Sequence, residues 1–182
     1  LCFAVNAIAD DDTELHINGD FRGAPSGYSP APGWTLTADG GNARILPTHD
    51  HDEFCLELIA APNRSQSVIT KMHPCSRSTL KLELKVRGTG TATFGYEAFD
   101  QSGNQLVASD RQLINLTNFD QKVENYFRLN VPAALIRIRL TAEPGSRALF
   151  RDVDAELKGP IMLVAPAQAP DVIMAPPPAP NG

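Results

Sequence analysis

The chain has 182 residues, a length that suits one compact domain and is short for two. Its 13 glycines and 15 prolines break the apolar residues into short runs, which disfavours a helical bundle or a coiled coil. The 16 basic and 21 acidic residues give a net charge of -5, so the chain lacks the basic surface on which binding to nucleic acid or an anionic membrane depends.

The first nine residues, LCFAVNAIA, are apolar and end in a small-x-small pattern directly before three aspartates. This pattern predicts the end of a secretory signal peptide that is cleaved after Ala9. An arbitrary chain end is the alternative interpretation. On the first interpretation, residues 1–9 are a signal-peptide remnant and the mature domain is secreted or periplasmic.

Between residues 10 and 159, apolar and polar residues alternate in short segments. The alternation is clearest from Thr79 to Arg87, where apolar residues at the even positions predict a core face and charged residues at most odd positions predict a solvent face. Turn formers separate the segments, and no segment has the pattern of a helix of three turns. The predicted strands are 14–17, 34–38, 44–46, 53–59, 67–72, 79–87, 91–99, 123–131, 136–140 and 149–157, with a further apolar pair at 106–107.

About ten strands without a helix predict an all-β fold, a β-sandwich of two sheets. The number and length of the strands favour a jelly roll, and the pattern alone leaves an immunoglobulin-like topology open. Phe94 and Tyr96 fall on the core side of their strand and are assigned to packing.

Carbohydrate binding calls for an exposed aromatic ring that stacks on the sugar, flanked by rigid hydrogen-bonding groups. Tyr126 shares its predicted face with Glu124 and Arg128 and is the best candidate for such a ring. Outward arginines on neighbouring strands favour a glycan, and an acidic one in particular. A solvated face with cross-strand ion pairs is the alternative. The predicted ligand-binding residues are Tyr126, Arg128, Arg137, Arg139, Glu83, Glu97 and, at the rim, Tyr28.

Three segments of the chain stand in a recognisable order: Asn18-Gly19-Asp20-Phe21 with the later Gly33-Trp34, then LKLELKVRGTGTATFGYEAFDQSGNQL, then ALFRDVDAEL. They look like the opening, the middle and the last strand of bacterial carbohydrate-binding modules of the galactose-binding-like jelly-roll type, which are attached to cellulases and xylanases. In such modules the Gly-Trp pair opens a buried strand, so the resemblance assigns Trp34 to packing. The resemblance covers roughly residues 15–158, and it implies the same fold and a secreted, non-catalytic module that binds a glycan or polysaccharide.

The resemblance also implies a structural calcium site, which these modules build with a Glu after the first Phe and an acidic pair in the last strand. Arg22 and Arg151-Asp152 stand at those positions here. Calcium needs about six to eight oxygen ligands, and guanidinium groups repel a cation. A retained site would depend on Asn18, Asp20, Asp152 and backbone carbonyls. We therefore expect no metal, and nothing in the sequence calls for a cofactor.

The segment His49-Asp50-His51-Asp52-Glu53 is the densest run of possible metal ligands. It is similar to the His-x-His-x-Asp-His run of binuclear zinc hydrolases, but Glu53 and Phe54 stand where the last two ligands would be. A solvated loop explains the segment as well, and no catalytic residue is assigned. Three hypotheses follow: a carbohydrate-binding module, a structural or protein-interaction domain without sugar affinity, and a secreted hydrolase that uses this segment.

Two further features concern the cysteines and the C-terminal segment. Cys55 and Cys75 would remain in the mature chain, and the sequence leaves open whether they form a disulfide or stay free. From Gly159 onward the chain holds seven of its fifteen prolines and a single charged side chain. Such a composition does not build a core, so residues 160–182 are predicted to be a Pro-rich tail or linker.

Overall fold

The computed structural model describes residues 12–23, 31–37, 41–47, 54–106, 110–129 and 133–161. Within these ranges every element of regular secondary structure is a β-strand. The described residues contain no helix that is long and apolar enough to cross a membrane. The strands are β1 (Thr13–Glu14), β2 (Trp34–Leu36), β3 (Gly41–Pro47), β4 (Phe54–Ala60), β5 (Gln66–Thr70), β6 (His73–Pro74), β7 (Arg77–Thr89), β8 (Thr91–Phe99), β9 (Asp110–Asn115), β10 (Gln121–Arg128), β11 (Leu135–Ala142) and β12 (Arg147–Ile161).

The strands form two antiparallel sheets. The first sheet has the order β10-β7-β12-β4-β3, and the short β1 also pairs with β12. The second sheet has the order β2-β5-β11-β8-β9, and β6 also pairs with β11. Because neighbours in space are often distant in sequence, the chain crosses repeatedly between the sheets. The molecule is therefore an all-β jelly-roll sandwich, as the sequence predicts.

The inner faces of the two sheets build one apolar core. On β7 the even-numbered residues from Leu80 to Val86 are buried, and on β11 Ile136, Ile138 and Leu140 are buried in the same way. Phe127 of the first sheet packs edge-on against Phe94 and Tyr96 of the second sheet, with ring centroids 5.9 and 5.7 Å apart. The strand periodicity thus predicts the inward side chains correctly, because a side-chain period of two places alternate residues on one face.

Trp34, the first residue of β2, is also buried in the core, as predicted. Its ring lies 5.5 Å from that of Phe21, which is completely buried. Its indole Nε1–H donates to the carbonyl of Asn18 over 3.1 Å. The opening motif of the sequence therefore serves packing.

The two cysteines that the structure describes are free thiols, which answers the question that the sequence left open. Cys55 Sγ lies 3.5 Å from the carbonyl oxygen of Leu46, and Cys75 Sγ lies 3.7 Å from that of Arg77. Burial raises the pKa of both thiols, in Cys55 against the opposing charge of Arg87. Cys75 is part of the apolar core, whereas Cys55 is buried outside it, near the charged side chains of the first sheet.

The structure also contains strands that the sequence pattern does not predict. β9 lies beyond the predicted 106–107 segment, because its apolar Leu113 points to solvent and obscures the alternation. β6 has only two residues, too few for any period to be recognised. β12 continues to Ile161, two residues past the predicted domain end at 159. Most of the predicted tail, 162–182, lies outside the described residues, so that assignment stays a prediction.

Candidate functional site

The outer face of the second sheet, which we call the second-sheet face, carries a cleft. Gly95 of β8 lines this cleft between Thr93 and Glu97. A Cβ atom at Gly95 would lie 2.0 Å from the backbone carbonyl oxygen of Asp110, so glycine lets β9 lie directly against β8, and a larger residue would force the two strands apart. The cleft, which we call the Gly95 cleft, has a volume of ≈ 410 Å³ and is lined by Thr93, Phe94, Gly95, Tyr96, Glu97, Asp110, Arg111, Arg139 and Thr141.

One wall of the Gly95 cleft is organised around the carboxylate of Glu97, which is only 6% exposed. Arg137 lies directly opposite Glu97 on β11, and its Nε–H donates to Glu97 Oε2. Arg139 Nη1 donates to Glu97 Oε1 over 2.7 Å. The guanidinium of Arg137 also lies 4.9 Å from the ring centroid of Phe99. Two arginines therefore compensate one nearly buried carboxylate, as burial of a charge requires.

A chain of hydroxyl groups extends this arrangement across the sheet. Arg139 Nη2 donates to Ser67 Oγ over 3.2 Å, and Ser67 Oγ lies 2.8 Å from Thr141 Oγ1. Arg139 is thus held at two of its nitrogens, by a carboxylate and by a hydroxyl. Because these partners are already in place, the side chain loses little conformational freedom when a ligand contacts it.

The opposite rim of the cleft is more open. Arg111 of β9 has a side chain that is 75% exposed, and its Nη1 lies 3.9 Å from Glu143 Oε1. The hydroxyl of Thr93 donates to the same Glu143 oxygen over 3.2 Å. The cleft therefore has one rigid wall and one accessible guanidinium, and together they present donors and acceptors to whatever enters.

The outer face of the first sheet, the first-sheet face, has a different character. Lys81 of β7 lies 3.6 to 3.8 Å from the carboxylates of Glu83, Glu124 and Glu156. Partial burial opposes the charge, but these three carboxylates outweigh it and raise the pKa of Lys81. A hydrogen bond from Lys122, at 2.7 Å, lowers the pKa of Glu83. This face is a network of paired charges.

Tyr126 and Arg128 belong to the first-sheet face. Tyr126 is directly opposite Lys81 in the register of β10 with β7, and its side chain is 54% exposed. Arg128 is exposed two residues further along β10. Neither residue lines the Gly95 cleft. The ring is accessible for stacking, as the alternation predicts, but it stands above the charge network.

The structure therefore divides the predicted ligand-binding residues into two groups. Arg137, Arg139 and Glu97 meet on the second-sheet face. Glu83, Tyr126 and Arg128 lie on the first-sheet face, on the other side of the sandwich, and nothing brings the two groups together. Tyr28 and the histidine-rich segment 49–53 lie outside the described residues. The sequence analysis did not single out Gly95, Asp110 or Arg111, which complete the cleft.

Glu57 is a further group that the sequence analysis did not single out. This carboxylate on β4 is completely buried on the first sheet and accepts hydrogen bonds from Arg44 Nε and Arg147 Nε. Burial alone would raise the pKa of Glu57, but the two guanidinium groups outweigh burial and hold it below its usual value. Because Arg44 is its neighbour on β3 and Arg147 lies on β12, Glu57 ties three strands together.

The residues implied as calcium ligands do not fit a calcium ion. Lys85 Nζ lies 2.7 Å from Asp152 Oδ2, and Arg22 Nε lies 3.3 Å from Asp20 Oδ2. In the described part of the chain, no three His, Cys, Asp or Glu side chains form a group that could hold a metal ion. Each carboxylate already faces a cation, and hard Ca²⁺ needs several uncompensated oxygen ligands.

Solved structures share this architecture at low sequence identity. The family 11 carbohydrate-binding module from Clostridium thermocellum, in complex with a β-1,3-1,4-mixed-linked tetrasaccharide, has a TM-score of 0.52 and 12% identity; 81% of this chain and 96% of that one are covered. The MgGH51 α-L-arabinofuranosidase has a TM-score of 0.60 and 14% identity, with 79% and 26% covered. The enzymatically active domain of tailspike protein 4 from bacteriophage CBA120 has a TM-score of 0.57 and 16% identity, with 69% and 19% covered.

These likenesses show the fold, a jelly-roll β-sandwich of the type found in carbohydrate-binding modules. The chain spans about a quarter of the arabinofuranosidase and about a fifth of the tailspike chain, so the likeness concerns only part of each. No protein-family model matches the sequence, and no curated protein matches it.

Proposed function

We propose that this chain is a non-catalytic carbohydrate-binding module and that its glycan lies in the Gly95 cleft. The observation that carries the proposal is the cleft itself, in which guanidinium, carboxylate and hydroxyl groups are fixed around a gap of ≈ 410 Å³. Sugar hydroxyls both donate and accept hydrogen bonds, and a site that is organised before binding loses less entropy than a flexible one.

Recognition at this cleft depends on hydrogen bonds. Guanidinium N–H groups of Arg139 and Arg111 donate to sugar oxygens, and the carboxylates of Glu97 and Asp110 accept from sugar hydroxyls. Two positive and two negative side chains line the gap. Because these charges balance, the arginines no longer favour an acidic glycan over a neutral one.

Tyr126 defines a second candidate surface, and its exposed ring is the specific observation that favours it. A sugar ring stacked there would have Glu83 and Arg128 within the same face for its hydroxyls. The two candidate surfaces lie on opposite sides of the sandwich, so a single short oligosaccharide cannot contact both. Substitutions on each face therefore distinguish them.

A further point supports a binding module. In the cleft, Arg137 and Arg139 fix the carboxylate of Glu97 in place, where it can accept hydrogen bonds from a ligand. The family 11 module of the same fold was solved with a bound tetrasaccharide. An extracellular location, in line with the signal-like segment 1–9, is part of the proposal.

The test is a screen of the full chain against insoluble polysaccharides and a glycan array, followed by calorimetry with an oligosaccharide that binds. We expect binding that is lost in Arg139→Ala and kept in Tyr126→Ala. The reverse result moves the site to the first-sheet face. An empty screen favours a structural or protein-interaction domain, and release of reducing ends from a polysaccharide favours a hydrolase.

A further inference from the structure

The N-terminal segment 15–23 lies across an irregularity in β12, and we call this contact the N-terminal junction. The register of β12 against β7 shifts between Arg151 and Asp154, so that Asp152 and Val153 form a bulge. Asp152 has φ 49°, in the left-handed region that an L residue adopts only at a cost. Something must therefore hold the bulge in place.

Backbone contacts join the segment to the bulge. Val153 N–H donates to the carbonyl of Gly19 over 3.2 Å, and Leu15 N–H donates to the carbonyl of Ala155 over 2.8 Å. Gly19 is pressed so closely against β12 that a Cβ atom would lie 1.6 Å from the carbonyl oxygen of Val153. The two backbones meet directly, with no gap between them at Gly19.

Asn18 closes the loop on its other side, and both its amide nitrogen and its amide oxygen take part. Nδ2 donates to the carbonyls of Arg22 and Pro32, over 3.1 and 2.7 Å, and Oδ1 accepts from the N–H of Arg22 over 3.2 Å. The side-chain oxygen that would be a cation ligand is therefore an acceptor within the loop. Asn18 itself has φ 51°, a conformation that Asn tolerates better than most residues.

Two carboxylates of the N-terminal junction, those of Asp152 and Asp20, are compensated by side chains of the protein. Lys85 comes from β7, where it is the register partner of Arg151, the last residue before the bulge. Its ammonium reaches the carboxylate of Asp152 at 2.7 Å. Arg22 compensates Asp20 from within the segment, at 3.3 Å. The positive charge at this place is thus part of the chain.

We propose that the Lys85 ammonium does at the N-terminal junction what a bound calcium ion would do, so that the domain folds and keeps its stability without divalent cations. The ammonium anchors Asp152, the strained residue of the bulge, to the neighbouring strand, while the backbone contacts of Gly19 and the amide of Asn18 hold the segment above it. This inference does not depend on the proposed carbohydrate binding.

The first test is thermal unfolding of the full chain, followed by circular dichroism, in EDTA and in millimolar CaCl₂. A structural ion at saturating concentration would raise the midpoint by several degrees, because it binds only the folded state. We expect the same midpoint in both solutions. A midpoint that falls in EDTA and recovers with CaCl₂ would overturn the proposal.

The second test compares Lys85→Met with Lys122→Met, both of which keep a long side chain and remove its charge. The control lysine also lies 2.7 Å from a carboxylate on the first sheet, but its partner Glu83 sits in a regular strand. We expect Lys85→Met to lower the midpoint by about 2–4 °C more than the control does. If Lys85→Met does not fold and Lys122→Met does, that result also supports the proposal. Equal midpoints of the two variants would contradict the role of Lys85.

Discussion

The two outer faces of this sandwich differ in architecture. On the first-sheet face, Lys81 stands among three carboxylates, and the charged side chains of neighbouring strands form ion pairs with one another. On the second-sheet face, the arginines of β11 turn toward the carboxylate of Glu97, and Gly95 lets β9 lie directly against β8 beside the cleft. Outward charged side chains thus build a network of ion pairs on one face and one wall of a cleft on the other.

Each sheet also contains a nearly buried carboxylate, and the two carboxylates have different surroundings. Glu57 of the first sheet and Glu97 of the second are both nearly inaccessible, and each is compensated by two arginines. Glu57 joins three strands and lines no described cleft, whereas Glu97 lines the Gly95 cleft. We interpret the first as structural and the second as part of the candidate binding surface.

The largest effects on stability are expected in the core, to which both sheets contribute completely buried side chains. Leu82→Ala in the first sheet and Ile138→Ala in the second each remove a completely buried side chain. Each should lower the free energy of unfolding by about 2–5 kcal/mol, from lost burial and from the cavity left behind. Urea denaturation measures both. If one of the two variants were as stable as the parent chain, its strand would not be packed as described.

The next effect separates the structural carboxylate from an exposed one. Glu57→Gln removes the negative charge between two arginines and places an NH2 donor where one of them needs an acceptor, so it should cost about 1.5–3 kcal/mol at pH 7, as for hydrogen bonds to charged groups. Glu124→Gln, at an exposed position of the same sheet, is the control and should cost little. Chemical denaturation of the two variants at one pH gives the difference, and equal losses would contradict the structural role.

The pH dependence of Glu57→Gln sharpens this prediction. The pKa of Glu57 is lower in the folded protein than in the unfolded chain, so its contribution to stability is present above the unfolded pKa of about 4.3 and is lost as the pH falls through the folded pKa. The difference in stability between the parent chain and Glu57→Gln should therefore shrink between pH 7 and pH 3. A difference that grows on acidification would refute the assigned charge state.

A smaller effect concerns binding and decides between the faces. Arg139→Ala removes a fixed donor from the Gly95 cleft and should weaken a glycan found in the screen about tenfold or more, equivalent to about 1.4 kcal/mol. Arg128→Ala, the matched arginine on the first-sheet face, should leave the affinity unchanged. Titration calorimetry with the same oligosaccharide measures both variants. Loss in Arg128→Ala with retention in Arg139→Ala would place the glycan on the first-sheet face.

The smallest effects are expected at exposed ion pairs on either face. Lys122 pairs with Glu83 on the first sheet and Arg111 with Glu143 on the second, and both cationic side chains are more than half exposed. Solvent and salt screen such pairs, so Lys122→Ala and Arg111→Ala should each change the free energy of unfolding by less than about 1 kcal/mol. Denaturation at low and high salt measures this. A loss comparable to that of Glu57→Gln would show that these pairs are not screened.

Alternation in the sequence is sufficient to predict much of the sandwich. Leu82 and Ile138 point into the core and Tyr126 points out, because a strand places successive side chains on opposite sides wherever it lies. β9 was not predicted, because its apolar Leu113 points to solvent and its sequence therefore does not show the alternation of the other strands. The resemblance in the opening and closing segments supplied the jelly-roll topology, which alternation alone leaves open.

The candidate site could be predicted only in part. Arg137, Arg139 and Glu97 were recognised as outward polar residues, but the pattern does not indicate which strands belong to the same sheet and so share an outer face. Glu83, Tyr126 and Arg128 were predicted to share a site with them, because outward residues of two different sheets have the same period in the sequence. The pairing of β11 with β8 and of β10 with β7 is what separates them.

The sequence by itself thus determined most of the strands, the inward side chains and the low content of basic residues, all of which follow from local period and composition. Only the tertiary structure decided that Gly95 lines a cleft where β9 lies directly against β8, that Glu57 and Glu97 are each held by two arginines, and that Lys85 reaches Asp152. These features depend on strands that are up to 90 residues apart along the chain, as between Glu57 and Arg147. Register and sheet order bring such residues together, and neither is encoded in the period of a single strand.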